Sequence, residues 1–189
     1  MKRGSLSRDA ELILGAFECL VDGKRAVYIA VPITTGIRLW EVAKSHKISQ
    51  LRDIGKKYPD AFHRCVLKPN LKDAKRISEQ VRKKNVLAID PSRLMINEWS
   101  QDDYAQLWKS VLKSRVDRVA LSPNWVYSLG CLEEYLTAFK SGLAITNLAG
   151  KKVTLDDAKL EIEQALIKGK AWGINTLYLQ KALKHLINS

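Results

Sequence analysis

Ala26-Val-Tyr-Ile-Ala-Val-Pro-Ile-Thr-Thr-Gly36 is the stretch whose reading decides the fold. The run from Ala26 to Val31 is apolar throughout and includes β-branched Val27, Ile29 and Val31. No polar residue alternates with them, so the run predicts a short strand buried on both faces, as in a parallel sheet. Pro32 ends it. Two hydroxyls and a glycine follow, forming a strand-to-helix turn whose backbone N–H groups can face an anion. A helix is then expected from about Ile37 to His46.

Outward from this stretch the alternation repeats. Residues 9–21 read as an amphipathic helix, with Ser7 or Asp9 as its cap and Asp22-Gly23 as its stop. Val86 to Ile89 is a second buried-type strand closed by Asp90-Pro91, residues 116–122 a third, and residues 143–146 a fourth. Between them lie a basic helix over 72–84, a helix over 101–113, and a helix over 129–141 ended by Gly142 in the C′ position. On the second of these Tyr104, Leu107, Trp108, Val111 and Leu112 share the inner face at helical spacing. Residues 47–71 are polar and give no clear element. Beyond Gly150, Thr154 caps a helix over 155–168, and residues 175–187 form another. The pair is expected to pack as a hairpin.

Strands alternating with helices at short spacing predict an α/β fold: a Rossmann-like, mainly parallel sheet flanked by helices, with a helical C-terminal extension. The expected organisation is an N-terminal helix over 1–25, an α/β domain over 26–150, and a C-terminal helical hairpin over 151–189 packed on that domain. Ligands of such sheets sit beyond the carboxyl ends of the strands. That rule points to segments 32–36, 90–103 and 122–134.

The chain has 189 residues, 46% hydrophobic and 28% charged, an ordinary globular composition. No apolar run approaches a membrane span, and no signal-peptide core follows the charged start. Three widely spaced cysteines (Cys19, Cys65, Cys131) without a CxxC argue against a disulfide framework, and a reducing cytoplasm is the expected location. His46, His63 and His185 are far apart, so no metal site is expected. There is no Walker loop, no GxGxxG and no Gly-x-Ser-x-Gly elbow. The net charge is +12, and the excess lies in the N-terminal half. Such a field attracts polyanions or phosphorylated small molecules, but no known nucleic-acid-binding signature accompanies it.

The segment from Ser122 to Gly142 carries the candidate chemistry. Trp125, Ser128 and Gly130 follow a buried strand, and Glu133 and Glu134 are expected in the first turn of the next helix, where the dipole favours an ionised carboxylate. Two readings stand here. In one, Ser128 caps the helix, Gly130 makes the turn and the glutamates complement the dipole. In the other, these residues share a ligand.

The pattern Trp125-x-x-Ser128-x-Gly130-x-x-x-Glu134-x-x-x-Ala138-x-x-x-Gly142 resembles the nucleoside 2-deoxyribosyltransferase superfamily, which includes 2′-deoxynucleoside 5′-phosphate N-hydrolases. Tyr28-Ile-Ala-Val-Pro-Ile-Thr-Thr-Gly36 is similar to that family's first strand and loop. Together the two motifs span roughly residues 26–147. The resemblance implies cleavage of an N-glycosidic bond in a nucleoside or nucleoside 5′-monophosphate, by hydrolysis or transfer. Glu134 takes the position of the nucleophile, with Glu133 as the neighbour one register away. Ser128 takes the position that meets the 5′-phosphate, and Gly130 lets the backbone approach it. Tyr28, Pro32, Ile33, Thr34, Thr35 and Gly36 face the substrate, and Trp125 is the aromatic placed nearest it. Asp103, or its neighbour Asp102, takes the position that assists the leaving base, while Asp117 is structural. No cofactor is implied, and a homo-oligomer of two or more subunits is. Val31 replaces a glycine common in that loop, and residues 47–85 and the tail from 150 have no counterpart. The alternatives are an NAD or sugar-nucleotide glycohydrolase on the same fold, and a non-catalytic module binding a nucleotide or nucleic acid.

Overall fold

The computed structural model describes residues 7–21, 26–83 and 86–188. Its core is a four-stranded, all-parallel sheet in the order β2-β1-β3-β4, built from β1 (Ala26–Ala30), β2 (Leu87–Ile89), β3 (Arg118–Leu121) and β4 (Ala144–Asn147). The α/β expectation, with a helical C-terminal part, is what the chain adopts. β1 is the decisive strand: it pairs with β2 through Tyr28 and Ile89 and with β3 through Tyr28 and Val119, and all five of its residues are buried. A run apolar on both faces is therefore required at this position.

The two faces separate by parity along β1. Val27, Ile29 and Val31 pack with Ala74, Ile77 and Val81 of α5 (Lys68–Arg82). Ala26, Tyr28 and Ala30 pack into a larger cluster on the other face. That cluster is covered by α6 (Gln101–Ser114) and α7 (Leu129–Lys140), with α1 (Arg8–Val21) against α6. Asp117 ties the heads of the strands together, its Oδ2 accepting from the Ala26 amide at 2.7 Å. The Ser7 hydroxyl accepts from the Ala10 amide at 3.2 Å and so caps α1. The stop expected at Asp22-Gly23 lies outside the described residues, as do residues 84 and 85 at the end of the basic helix.

From Leu51 onward the segment 47–71 is largely helical, contrary to its polar, featureless reading. A 3₁₀ turn (Leu51–Asp53) leads into α3 (Ile54–Lys57), α4 (Pro59–Phe62), a π-helical turn (His63–Leu67) and then α5. Pro69 supplies the physical reason for the π turn. It has no N–H for the carbonyl of Cys65, and the register widens, the Lys68 amide reaching back to His63 O. The basic helix therefore starts at Lys68 rather than at residue 72.

After β4 the chain forms α8 (Leu155–Ala171) and α9 (Leu177–Ile187), joined by a short turn. Thr154 and Asp157 make a reciprocal capping box at the start of α8. The pair is part of the main core: Ile162, Ala165, Leu179 and Leu186 belong to the cluster that contains Tyr28. Gly169 sits where α8 comes closest to Trp40 of α2 (Ile37–Ser45). A Cβ there would overlap the Thr176 methyl and lie 3.1 Å from the Trp40 ring. Among the described residues no helix is long and apolar enough to cross a membrane.

Candidate functional site

The strand order reverses at β1: the first crossover places β2 on one side and the next places β3 on the other. A sheet built this way opens a crevice beyond the carboxyl ends of the two strands at the reversal. Here those ends are β1 and β3, and the segments that leave them are 31–36 and 122–128. Both were singled out in the sequence, and they meet: Thr35 Oγ1 and Ser128 Oγ are 2.7 Å apart.

Each side of that contact is held by its own local chemistry. Ser128 is the N-cap of α7, its hydroxyl accepting from the Cys131 amide at 3.3 Å, and it is buried. Gly36 is the N-cap residue of α2 with φ +97°, a conformation that L side chains rarely adopt, and a Cβ there would stand 2.8 Å from Pro32 Cβ. Thr35 precedes that cap by one residue, so the N-termini of α2 and α7 converge on the same point. Glycine leaves α2 without a side-chain cap, and Leu129 and Gly130 at the start of α7 are exposed. Pro32, Ile33, Thr34 and Thr35 are each half-buried along the same turn.

Asn70 fixes the turn from the outside. Its amide donates to Ile33 O and Thr35 O, both at 2.9 Å, while its carbonyl accepts from Arg38 Nη1 at 2.7 Å. Arg38 in turn pairs with Asp73 at 2.7 Å. This residue carries no signal in the sequence, because it lies in the stretch that reads as featureless.

On the α7 side of the sheet, Tyr28 donates its phenol to Glu134 Oε1 at 2.6 Å. The Tyr28 ring packs edge-on against Trp108. Glu134 as a residue is half-buried, but its carboxyl end is enclosed: among the described residues Oε2 is buried without a hydrogen-bond partner. Few native polar atoms are left so. Burial pushes the Glu134 carboxyl up to about 8, against the lowering effect of the Tyr28 hydrogen bond and with a further rise from Glu133. Burial, and then the nearby Glu134, also hold the Tyr28 phenol well above its ordinary value, so it remains the donor.

Two expectations about this carboxyl are corrected. α7 begins at Leu129, so Glu133 and Glu134 lie in its second turn, beyond the reach of strong support from the helix terminus. The carboxyl is consequently governed by desolvation, which favours its protonated form. Of the two glutamates, Glu134 turns inward to β1, while Glu133 is exposed. Glu133 is nevertheless raised by partial desolvation and by Asp102, with Lys109 acting oppositely.

The remaining candidates are placed as follows. Trp125 is buried and packs against Tyr135 at 4.7 Å, so its ring belongs to the contact between α7 and α8 rather than to the crevice surface. Asp103 is the N3 residue of α6 and accepts from the Ser100 amide at 2.8 Å and hydroxyl at 2.7 Å. Those bonds hold it below the usual carboxylate range, which suits a cap and opposes proton donation. Asp90, at the carboxyl end of β2, is taken up by Ser92. Ser122, at the carboxyl end of β3, has a buried hydroxyl without a partner among the described residues. No group of three or more His, Cys, Asp or Glu side chains among the described residues is placed to hold a metal. Comparison with family models, with curated proteins and with solved structures returns no match to this chain.

Proposed function

We propose that this chain cleaves the N-glycosidic bond of a nucleoside or nucleoside 5′-monophosphate, with Glu134 as nucleophile. The observation that carries the reading is the Tyr28–Glu134 pair: one carboxyl oxygen is held by a phenol at 2.6 Å, and the other is buried without a hydrogen-bond partner among the described residues. In the reaction Oε2 of the ionised carboxylate forms a bond to C1′. The C1′–N bond breaks, and its electron pair leaves with the base, which takes a proton from solvent or from a donor at the crevice. Water then attacks C1′, releasing the sugar and restoring Glu134. Tyr28 stays protonated and keeps Oε1 out of the reaction.

A 5′-phosphate is supported by the convergence of two helix N-termini at Thr35 and Ser128. Their dipoles add at that point, and the uncapped start of α2 offers amide donors. Gly130 allows the backbone of α7 to approach the same group. Asp103, engaged in its capping box, is not the proton donor in this scheme. No cofactor enters the scheme.

The second reading is a nucleotide-binding module without turnover, favoured by the burial that raises the Glu134 carboxyl and disfavours its ionised form. Incubation with a panel of nucleosides, 5′-monophosphates and NAD, followed by chromatography for free base, separates the possibilities. Base release by the wild-type chain that is lost in Glu134→Gln supports catalysis. Tight mononucleotide binding with no base released supports the binding module.

A further inference from the structure

The positive charge of this protein is concentrated in one stretch of the chain. Residues 37–83 hold thirteen Lys and Arg against five Asp and Glu, an excess of eight out of the whole chain's +12. These residues form α2 to α5, and α5 covers the sheet face opposite the Tyr28–Glu134 pair. Of the five acids, two are paired with cations of this stretch, and Glu79 is exposed on α5 itself. Asp73 is taken by Arg38 and Arg76, and Asp53 by Arg52 and Lys57. Lys72, Lys75, Arg82 and Lys83 along α5, with Lys56 and Arg64 before it, are exposed and have no acidic partner within 4.0 Å among the described residues.

From this we infer that the outer face of α3–α5 is a docking surface for the phosphate backbone of a double-stranded nucleic acid. α5 has 15 residues and so spans about 22 Å, with Lys72, Lys75 and Arg82 exposed along it and one acid, Glu79, between the last two. Its apolar residues Ala74, Ile77 and Val81 are spent against the sheet, leaving no apolar side to enter a lipid surface. The exposed positions of α5 include no aromatic residue on which an unpaired base would stack. What remains is a row of mobile point charges without side chains built to read bases. That arrangement matches the polyanion of highest linear charge density and predicts sequence-independent binding. The Arg38–Asp73 pair at the top of α5 also touches Asn70, so an occupant of this face lies next to the turn 33–35 without filling the crevice.

The test is fluorescence anisotropy of a labelled mixed-sequence DNA duplex of about 20 base pairs, starting near 50 mM salt, with the whole chain. The expected result is saturable binding whose log Kd rises with log salt at a slope of about 3–4, as for roughly four neutralised phosphates. The triple variant Lys72→Glu/Lys75→Glu/Lys83→Glu is expected to weaken binding at least about tenfold and to lower that slope by about 2–3. A control of equal charge change on other helices, Lys140→Glu/Lys170→Glu/Lys181→Glu, is expected to change Kd less than about twofold, and circular dichroism verifies that both variants are folded. Equal loss in both triples, absence of binding at low salt, or displacement of the duplex by polyglutamate or by anionic vesicles at equal charge concentration overturns the inference.

Discussion

At the residue scale the molecule turns on a carboxyl kept from water. Glu134 titrates near 8 because burial penalises its charge more than the Tyr28 hydrogen bond favours it. The consequence for stability has a definite sign. The folded chain holds this proton at pH values where the unfolded chain has released it. The stabilisation is therefore complete below about pH 4.5 and is lost as pH rises through about 8. Glu134→Gln removes the titration while preserving the shape. In denaturant titrations at pH 5 and pH 9, the variant is expected to gain on the wild type as pH rises, by roughly 4 kcal/mol at most. A pH-independent difference between the two would show that the carboxyl is solvated.

At the element scale, the strands and helices that follow composition rules were readable from the sequence, and those that depend on tertiary partners were not. β1 is apolar at every position because both of its faces are covered and both of its edges are paired, so its sequence could hardly be anything else. α7 is bounded by Ser128 and Gly142, residues whose side chain and φ +67° backbone mark a helix start and stop by local chemistry. The short helices between residues 51 and 67 and the first turn of α5 were illegible because that stretch is polar and gives no clear pattern. Pro59 begins α4 and Pro69 sits at the start of α5. Asn70 escaped notice because its importance consists of two carbonyls in a turn 35 and 37 residues away in sequence. For Glu134 the identity of the residue was legible, but its ionisation was not, since the helix start lies one turn earlier than the glutamates suggested. The C-terminal hairpin depends on a close approach that only a glycine permits. Gly169→Ala is expected to destabilise the chain by about 1–3 kcal/mol, read as a lowered Tm, because Trp40 and Thr176 must move to admit one methyl group. An unchanged Tm would mean that α8 sits less tightly on α2 than described.

At the scale of the whole molecule, the sheet divides the chain into two working sides. The α6/α7 side holds the Tyr28–Glu134 pair and the other side carries α5 with its exposed cations, while the starts of α2 and α7 meet at Thr35 and Ser128. α8 leaves Leu160 and Ile167, seven residues apart on one helical face, exposed at 55% and 71%. The central claim is that a buried, phenol-held carboxyl becomes the nucleophile once ionised, and kcat/KM for base release measured between pH 5 and 10 tests it most directly. The account predicts a rate that climbs with pH to a plateau above an apparent pKa near 8 and vanishes in Glu134→Gln. A rate that is undiminished in Glu134→Gln, or that is flat or falling across pH 8, would contradict it.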